Sequence, residues 1–477
     1  MVSVQRRVAK LITGSLSTTA GDVLDVHTNL LLVDLLFHKI LFRAATRIAS
    51  LPTTHPLHHL SCKAASRYVK HHKSPLHNLF FTTKISPATV ESVNPIWRRP
   101  NYIPSFSINI QKDKTLALVD TTLYHLVAPV SAYSDGSGFE GGVGASAVLF
   151  TNNVETKVLC YHLGTLKEHT IYEAEILGLT LSLHLLLNLK CRLRDPIVLG
   201  TDSQATLRAL NNQRSHTGHH LLDRIHDAAE ALQVQQDSLH NSAARREARR
   251  QGTKWKGRRS GVVDTQLHWT LAHMGFSPNE QADEEAKAAA QGNSSTPTDL
   301  PSFLRCKPLP ISISALRQEN LAVLRKQWKR HWKTSPRYPR FKDIDNDLPS
   351  KKFLRLVNDL DHHQASLIAQ LHTGHIPLNH HLFRICRSET PTCPHCEGLM
   401  VETVRYYLFE CPHYQHEHHA LRQKLKRNAD SLSFLLSKPE ATKPLLGYIH
   451  ATKHFKTNAL SAHHDPALMH ILLGPGY

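Results

Sequence analysis

Apolar residues recur at helical spacing through VAKLITGSL and LLLVDLLFHKILFRAATRIA, which predicts two helices over residues 1–50. The pattern then degrades. From Leu51 to about Val127, Pro52, Pro56, Pro75, Pro87, Pro95, Pro100 and Pro104 punctuate a stretch rich in His and Ser, so 51–127 reads as a poorly structured connector. Regular alternation begins near Tyr133. A strand ending at Asp135 is followed by a Gly-rich turn, GSGFEGG, an apolar strand, VGASAVLF, and a third strand at TKVLCYHLG. A long helix fits Thr170 to Asn188, and PIVLGTD is a short buried strand entering the helix SQATLRAL. HLLDRIHDAAEALQ is amphipathic and ends near Gln235; the strand VDTQLHWTLAH and a helix from about Pro278 to Gln291 close the unit. This succession predicts an α/β domain over 128–292, a mixed five-stranded sheet flanked by helices. NSSTPTDLPS marks a linker, 293–310. Beyond it come a basic helical region (311–385), a Cys/His segment (386–420) and a tail (421–477), so the sheet domain sits between mostly helical extensions.

Composition changes the picture in three ways. A chain of 477 residues has room for two to four domains of roughly 100–200 residues, and 41% apolar content is enough for real cores. The net charge of +18 points to a polyanionic partner, most simply nucleic acid, and 36 histidines add positive charge in mild acid. Eight cysteines over this length are no disulfide framework; only Cys386, Cys393, Cys396 and Cys411 cluster. The start, MVSVQRRVAKLITG, lacks a secretory signal pattern. The longest apolar run, NLLLVDLLFHKILF, is interrupted by Asp34, His38 and Lys39, so it reads as a buried amphipathic helix rather than a membrane span.

The candidate chemistry lies in four acids. Asp135 closes the first strand of the sheet domain, Glu175 lies in the helix YEAEILGLTLSLHLL, Asp202 ends PIVLGTD, and Asp283 begins the helix NEQADEEAKAAA. Strand ends and helix starts can aim such acids at one sheet edge, where they cannot all remain ionised without counter-cations. Magnesium suits a few carboxylates from separate elements, and metal-assisted phosphodiester hydrolysis uses two such cations. Glu173 competes with Glu175, but residues two apart on a helix are rotated by about 200°. Glu175 shares an inward stripe with Leu179, Ser182 and Leu186, which leaves Glu173 as a solvated neighbour.

Together, SDGSG, the YEAEILGL helix, VLGTDSQATLRAL and WTLAHMGFSPNEQADEEAKAAA resemble the type 1 ribonuclease H family. The resemblance implies a ribonuclease H-like fold and an endoribonuclease that cuts the RNA strand of RNA/DNA hybrids with two magnesium ions, replaceable by manganese. It implies that Asp135, Glu175, Asp202 and Asp283 are catalytic metal ligands, that His273 assists proton transfer or product release, and that Asn279, at the helix cap, contacts substrate. The products would be a 3′-hydroxyl and a 5′-phosphate. One departure is the insertion AARREARRQGTKWKGRRSG. Its residues 244–260 hold eight Lys/Arg and one Glu, with Trp255 among them. Two readings stand for it: a disordered solvated loop, or an electrostatic clamp for the hybrid backbone.

The flanks carry a second resemblance. VQRRVAKLITGSLSTTAGDVLDVHTNLLLVDLLFHKILFRAATRIASLP is similar to the segment that follows the polymerase core in reverse transcriptases of non-LTR (LINE-like) retrotransposons. No Tyr/Phe-x-Asp-Asp motif occurs, so the chain resembles the C-terminal portion of such a polyprotein without the polymerase core. LHTGHIPLNHHLFRI, Cys393-x2-Cys396 and ETVRYYLFECPHY are similar to the zinc-binding tail of these elements. Tyr406 stands where the tail's histidine is expected, which leaves Cys393, Cys396 and Cys411, with His413 as the nearest fourth zinc ligand. Residues 325–342 hold eight Lys/Arg interleaved with Trp328, Trp332, Tyr338 and Phe341. That spacing suits nucleic-acid contact, or a core pair one helical turn apart. These resemblances imply an intracellular protein of the nucleus or cytoplasm. They leave one alternative: a retrotransposon-derived nucleic-acid-binding protein whose nuclease no longer turns over.

Overall fold

A computed structural model describes residues 1–66, 74–95, 98, 101–212, 214–396 and 400–455. The far end of the expected tail, 456–477, lies outside the described residues. The chain divides into two compact units, one of Lys39–Ala322 and one of Met1–His38 with Val323–Tyr477. In chain order the first helices are α1 (Val2–Thr13), α2 (Gly21–Thr28), α3 (Val33–Ala49), α4 (Pro56–Ser66), α5 (Pro75–Thr83) and α6 (Lys114–Val127). The sheet strands are β1 (Ser107–Asn109), β2 (Val130–Phe139), β3 (Gly142–Thr151), β4 (Val154–Thr165), β5 (Ile197–Thr201) and β6 (Thr265–Trp269). Among them lie α7 (Ile171–Asn188), α8 (Gln204–Leu210), α9 (His219–Arg250) and α10 (Ser277–Ala290).

The sheet order is β1-β6-β5-β2-β3-β4. β2 is antiparallel to β3 and parallel to β5, and β5 is parallel to β6, so the sheet is mixed, as the element order predicts. The expected five strands gain a sixth, because β1 pairs in parallel with β6 at Ser107↔Gln266 to Asn109↔His268. Helix α7 is the core of this unit. Ala174, Ile176, Leu177, Leu179, Leu181, Leu183 and Leu186 are all fully buried, which its near-continuous apolar sequence requires. Thr170 caps its start by accepting from the Glu173 amide.

Three expectations are corrected. The stretch 51–127 is not a loose connector: it carries α4, α5, β1 and α6, and Asp113 caps α6 by accepting from the Thr115 and Leu116 amides. The Gly-rich segment after Asp135 is strand as far as Phe139, leaving only Glu140 and Gly141 as the turn. Its glycines serve packing: a Cβ on Gly136 would overlap the Glu175 amide nitrogen of α7. The helix expected to end near Gln235 continues to Arg250.

The second unit is helical. It contains the start of the chain and the end of α11 (Ile313–Lys333), then α12 (Tyr338–Ile344), α13 (Lys352–Val357), α14 (His362–Thr373), α15 (Asn379–Arg384), α16 (Gln415–Leu425), α17 (Leu432–Ser437) and α18 (Pro439–Thr452). Residues 1–38 of the expected N-terminal piece and the residues from 323 onward fall in this unit, while 39–50 and 311–322 fall in the sheet unit. Trp328 and Trp332 are buried with Val23, Val26, Phe341 and Leu348, so of their two readings the core pair holds. Among the described residues no helix is long and apolar enough to cross a membrane.

Candidate active site

Strand register brings the first two acids together. The β2–β5 ladder pairs Val130 with Ile197 through to Ser134 with Thr201, so Asp135 and Asp202 emerge side by side as the next residues of two adjacent strands. Helix α7 crosses β2 so closely at Gly136 that Glu175 reaches the same point. Carboxylate oxygens of Asp135, Glu175 and Asp202 lie within 4.8 Å of one another. Asp283, on α10, stands beside them and adds its field to theirs. Helix α10 is fixed there by the Ser146 hydroxyl, which donates to the Ala282 carbonyl at 2.5 Å.

The electrostatics are those of anions crowded away from water. Burial, then Asp202 and Asp283, push Asp135 up to about 7. Burial, with Asp135 and Asp202, raises Glu175 well above the carboxylate range, and burial with Asp283 raises Asp202. The Glu175 Oε2 atom is buried with no hydrogen-bond partner. A buried oxygen without a donor among mutually repelling acids is what a hard cation would satisfy, so the residues present fit divalent metal.

The remaining residues divide. His273 sits in the loop after β6 with its side chain 73% exposed and Nδ1 3.8 Å from Asp283 Oδ2. Its backbone is left-handed (φ 53°), next but one to Gly275 (φ 78°), so the loop turns sharply at the acids. Asn279 does not face solvent as a substrate contact would. It is buried, its Oδ1 accepts from the Thr270 hydroxyl at 2.8 Å, and it braces the end of β6 against the start of α10. Glu173 is not solvated either: its Oε2 accepts from the Thr170 amide at 2.8 Å and hydroxyl at 3.0 Å, and burial pushes its pKa up to about 7. Lys287 joins the site without being marked by any of the motifs: its ammonium donates to Asp283 Oδ2 at 2.6 Å. The signal for it is the four-residue spacing Asp283–Lys287 on one helix face.

The basic insertion belongs elsewhere. It forms the last turns of α9 and the loop into the start of β6, whereas Asp202 follows the end of β5, which runs parallel to β6. As a clamp it would contact a duplex at the other end of these strands from Asp202.

In the helical unit, Cys393, Cys396 and Cys411 converge, with Sγ–Sγ distances of 3.8 Å from Cys393 to Cys411 and 3.7 Å from Cys396 to Cys411. The expected fourth ligand does not join them: the His413 ring stacks on His395 at 3.9 Å between centroids. Tyr406 instead donates its hydroxyl to Cys396 Sγ at 3.0 Å and holds that thiol below its ordinary pKa. Burial pushes Cys393 up to about 12.

No protein-family model and no curated protein matches the chain. Solved structures similar to it include RNase H1 from the halophilic archaeon Halobacterium salinarum NRC-1, at 21% identity over 34% of this chain and 98% of that one, with a TM-score of 0.23. Another is the N-terminal RNase H domain of rv2228c from Mycobacterium tuberculosis, solved as a fusion with maltose-binding protein, at 16% identity over 34% of this chain and 97% of that one, again with a TM-score of 0.23.

Proposed function

We propose that this chain is a divalent-metal-dependent endoribonuclease of the ribonuclease H type, acting on the RNA strand of RNA/DNA hybrids. The observation that carries the proposal is the convergence of Asp135, Glu175 and Asp202 within 4.8 Å, with Asp283 beside them and a buried Glu175 oxygen left unsatisfied. Two magnesium ions, held by these four acids when bound, would supply a nucleophilic water at neutral pH and stabilise the leaving oxygen. Lys287 offsets part of the negative charge at Asp283. His273, exposed and facing Asp283, would pass the released proton to solvent. Selection of the RNA strand would rest on backbone shape and 2′-hydroxyls rather than base edges. The sequence resemblance of the flanks supports an origin in a non-LTR retrotransposon.

The test is cleavage of an end-labelled hybrid by purified protein with Mg²⁺. Cleavage is expected, is abolished by EDTA, and falls by roughly 100-fold or more in Asp135→Asn. A hybrid that is shifted on a gel yet left intact would establish the non-catalytic binding protein instead. Cleavage that survives Asp135→Asn would point to a contaminant.

For the helical unit we infer a thiophilic cation, zinc, at Cys393, Cys396 and Cys411. Tetrahedral Zn–S bonds of about 2.3 Å place sulfurs about 3.8 Å apart, which matches the two spacings found. Among the described residues the Tyr406 hydroxyl reaches this cluster, while the His413 ring stacks on His395. Metal analysis should find about one zinc per chain, lost in Cys393→Ser and kept in His413→Ala; protein isolated without zinc would remove the inference.

A further inference from the structure

The insertion, which spans the last turns of α9 and the loop into β6, is pinned where it returns to the sheet. Asn241 clamps Arg259 with two backbone hydrogen bonds, accepting from its amide at 2.8 Å and donating to its carbonyl at 2.7 Å. Asp237 accepts from the Gly261 and Val262 amides at 3.1 and 3.0 Å, which occupies the acid nearest the loop's return. Between the last turns of α9 and this returning loop lies an open groove of about 1360 Å³, lined by Arg192, Arg246, Arg250, Lys254, Trp255 and Arg259. Trp255 is 39% exposed, with the Arg245 guanidinium 6.0 Å from its ring centre. Glu247, the one acid of 244–260, accepts a hydrogen bond from Gln251. Among the described residues, no carboxylate lies within ion-pair distance of the eight cations between Arg245 and Arg259.

Concentrating eight cations and an exposed indole on one pinned scaffold costs mutual repulsion and exposed apolar surface, and among the described residues no ion pair offsets the repulsion. A polyanion with flat apolar faces offsets both. A duplex offers phosphates but keeps its base faces stacked; a single strand offers both together. The groove is also distinct from the four acids. Arg192, His240 and Val262 place it where β5 and β6 begin, whereas Asp202 lies past the end of β5, about 16 Å away along five residues of strand.

We propose that this groove is a second nucleic-acid site, which binds single-stranded polynucleotide by phosphate contacts from α9 and the loop and by base stacking on Trp255. The proposal does not depend on the nuclease reading. Fluorescence anisotropy of the full chain in EDTA, with labelled 12-mer oligo(U), 12-mer oligo(dT) and a 12-base-pair RNA/DNA hybrid, tests it without cleavage. Trp255→Ala should weaken single-strand binding about tenfold, and Trp255→Phe should restore most of it. Lys254→Glu with Lys256→Glu should weaken it further and flatten the dependence of log K on log salt by roughly 0.7 for each phosphate no longer neutralised. A loss confined to oligo(U) or to oligo(dT) would identify the strand recognised; a loss for both would show that the backbone and stacking suffice. All three side chains are exposed, so melting curves should superimpose on those of the parent. Single-strand affinity unchanged in Trp255→Ala, or an equal loss for the hybrid duplex, would overturn the proposal.

Discussion

Two residues apart on α7, Glu173 turns its carboxylate back onto the Thr170 amide and hydroxyl, while Glu175 extends its own toward Asp135 and Asp202. Substitutions should separate the two jobs. Glu175→Gln should cut hybrid cleavage by roughly 100-fold or more with the fold intact, whereas Glu173→Ala should lower stability by about 1 kcal/mol and leave the chemical step unchanged. Denaturant melts and single-turnover cleavage on both variants check this; a Glu173→Ala enzyme that folds normally but cannot cleave would reverse the assignment. The choice of Glu175 was legible because helical rotation forbids both acids from serving one site. The burial of Glu173 was legible too, in the Thr170-x-x-Glu173 pattern, but only if the helix start was read as a cap rather than as surface. Asn279 was harder. Its place in the motif says where it sits, and nothing in the sequence shows that Thr270 takes up its oxygen.

At the scale of elements, the site depends on how near helices come to the sheet. Gly136 and Gly144 have no side chain where α7 and α10 cross: a Cβ would overlap the Glu175 nitrogen at the first and the Ala290 nitrogen at the second. Gly136→Ala should therefore push α7 away, costing about 1–3 kcal/mol and most of the cleavage activity together. A variant that keeps its denaturation midpoint and its rate would show that the helix yields without consequence. These close crossings explain why the glycines look like a turn in the sequence, since composition alone does not distinguish a glycine that bends a chain from one that admits a neighbour. The overrun of α9 has another cause. After Gln236 its residues are largely exposed, so no apolar stripe marks the helix, and Ala, Arg and Glu sustain it by propensity. The three-residue β1 gave too few positions for any period to show.

For the whole molecule, histidine counts differently once burial is known. His27 and His372 are completely enclosed in the helical unit, and burial holds them down to about 3 and about 4. His169, at the start of α7, is held to about 4 by the same cause. These groups are neutral in the fold and bind protons near 6.5 when unfolded. Their contribution is thus complete above about pH 6.5 and is lost as pH falls toward 4, by about 1 kcal/mol each at pH 5.5. Thermal melts should shift down by several degrees between pH 7.5 and pH 5.5; a melting temperature constant over that interval would contradict it. The same burial means that mild acid adds less positive charge than the histidine count suggests. Domain organisation was the least legible level. The pairing of residues 1–38 with those after 323 joins sequence ends by packing alone, and a periodicity read along the chain carries no record of such packing.

Helix α9 also sets a length scale. It begins beside Tyr172 and Glu173, one turn or less from Glu175, and runs 21 residues to His240, where the cationic groove opens. At 1.5 Å per residue that run of helix is about 30 Å long, against the roughly 16 Å of strand between Asp202 and the start of β5. Oligomers shorter than this can occupy one end of the ruler or the other, while longer ones carrying a hybrid segment and a single-stranded overhang can engage both. Affinity should then rise in a step once the overhang is long enough to reach the groove, because the second contact becomes intramolecular.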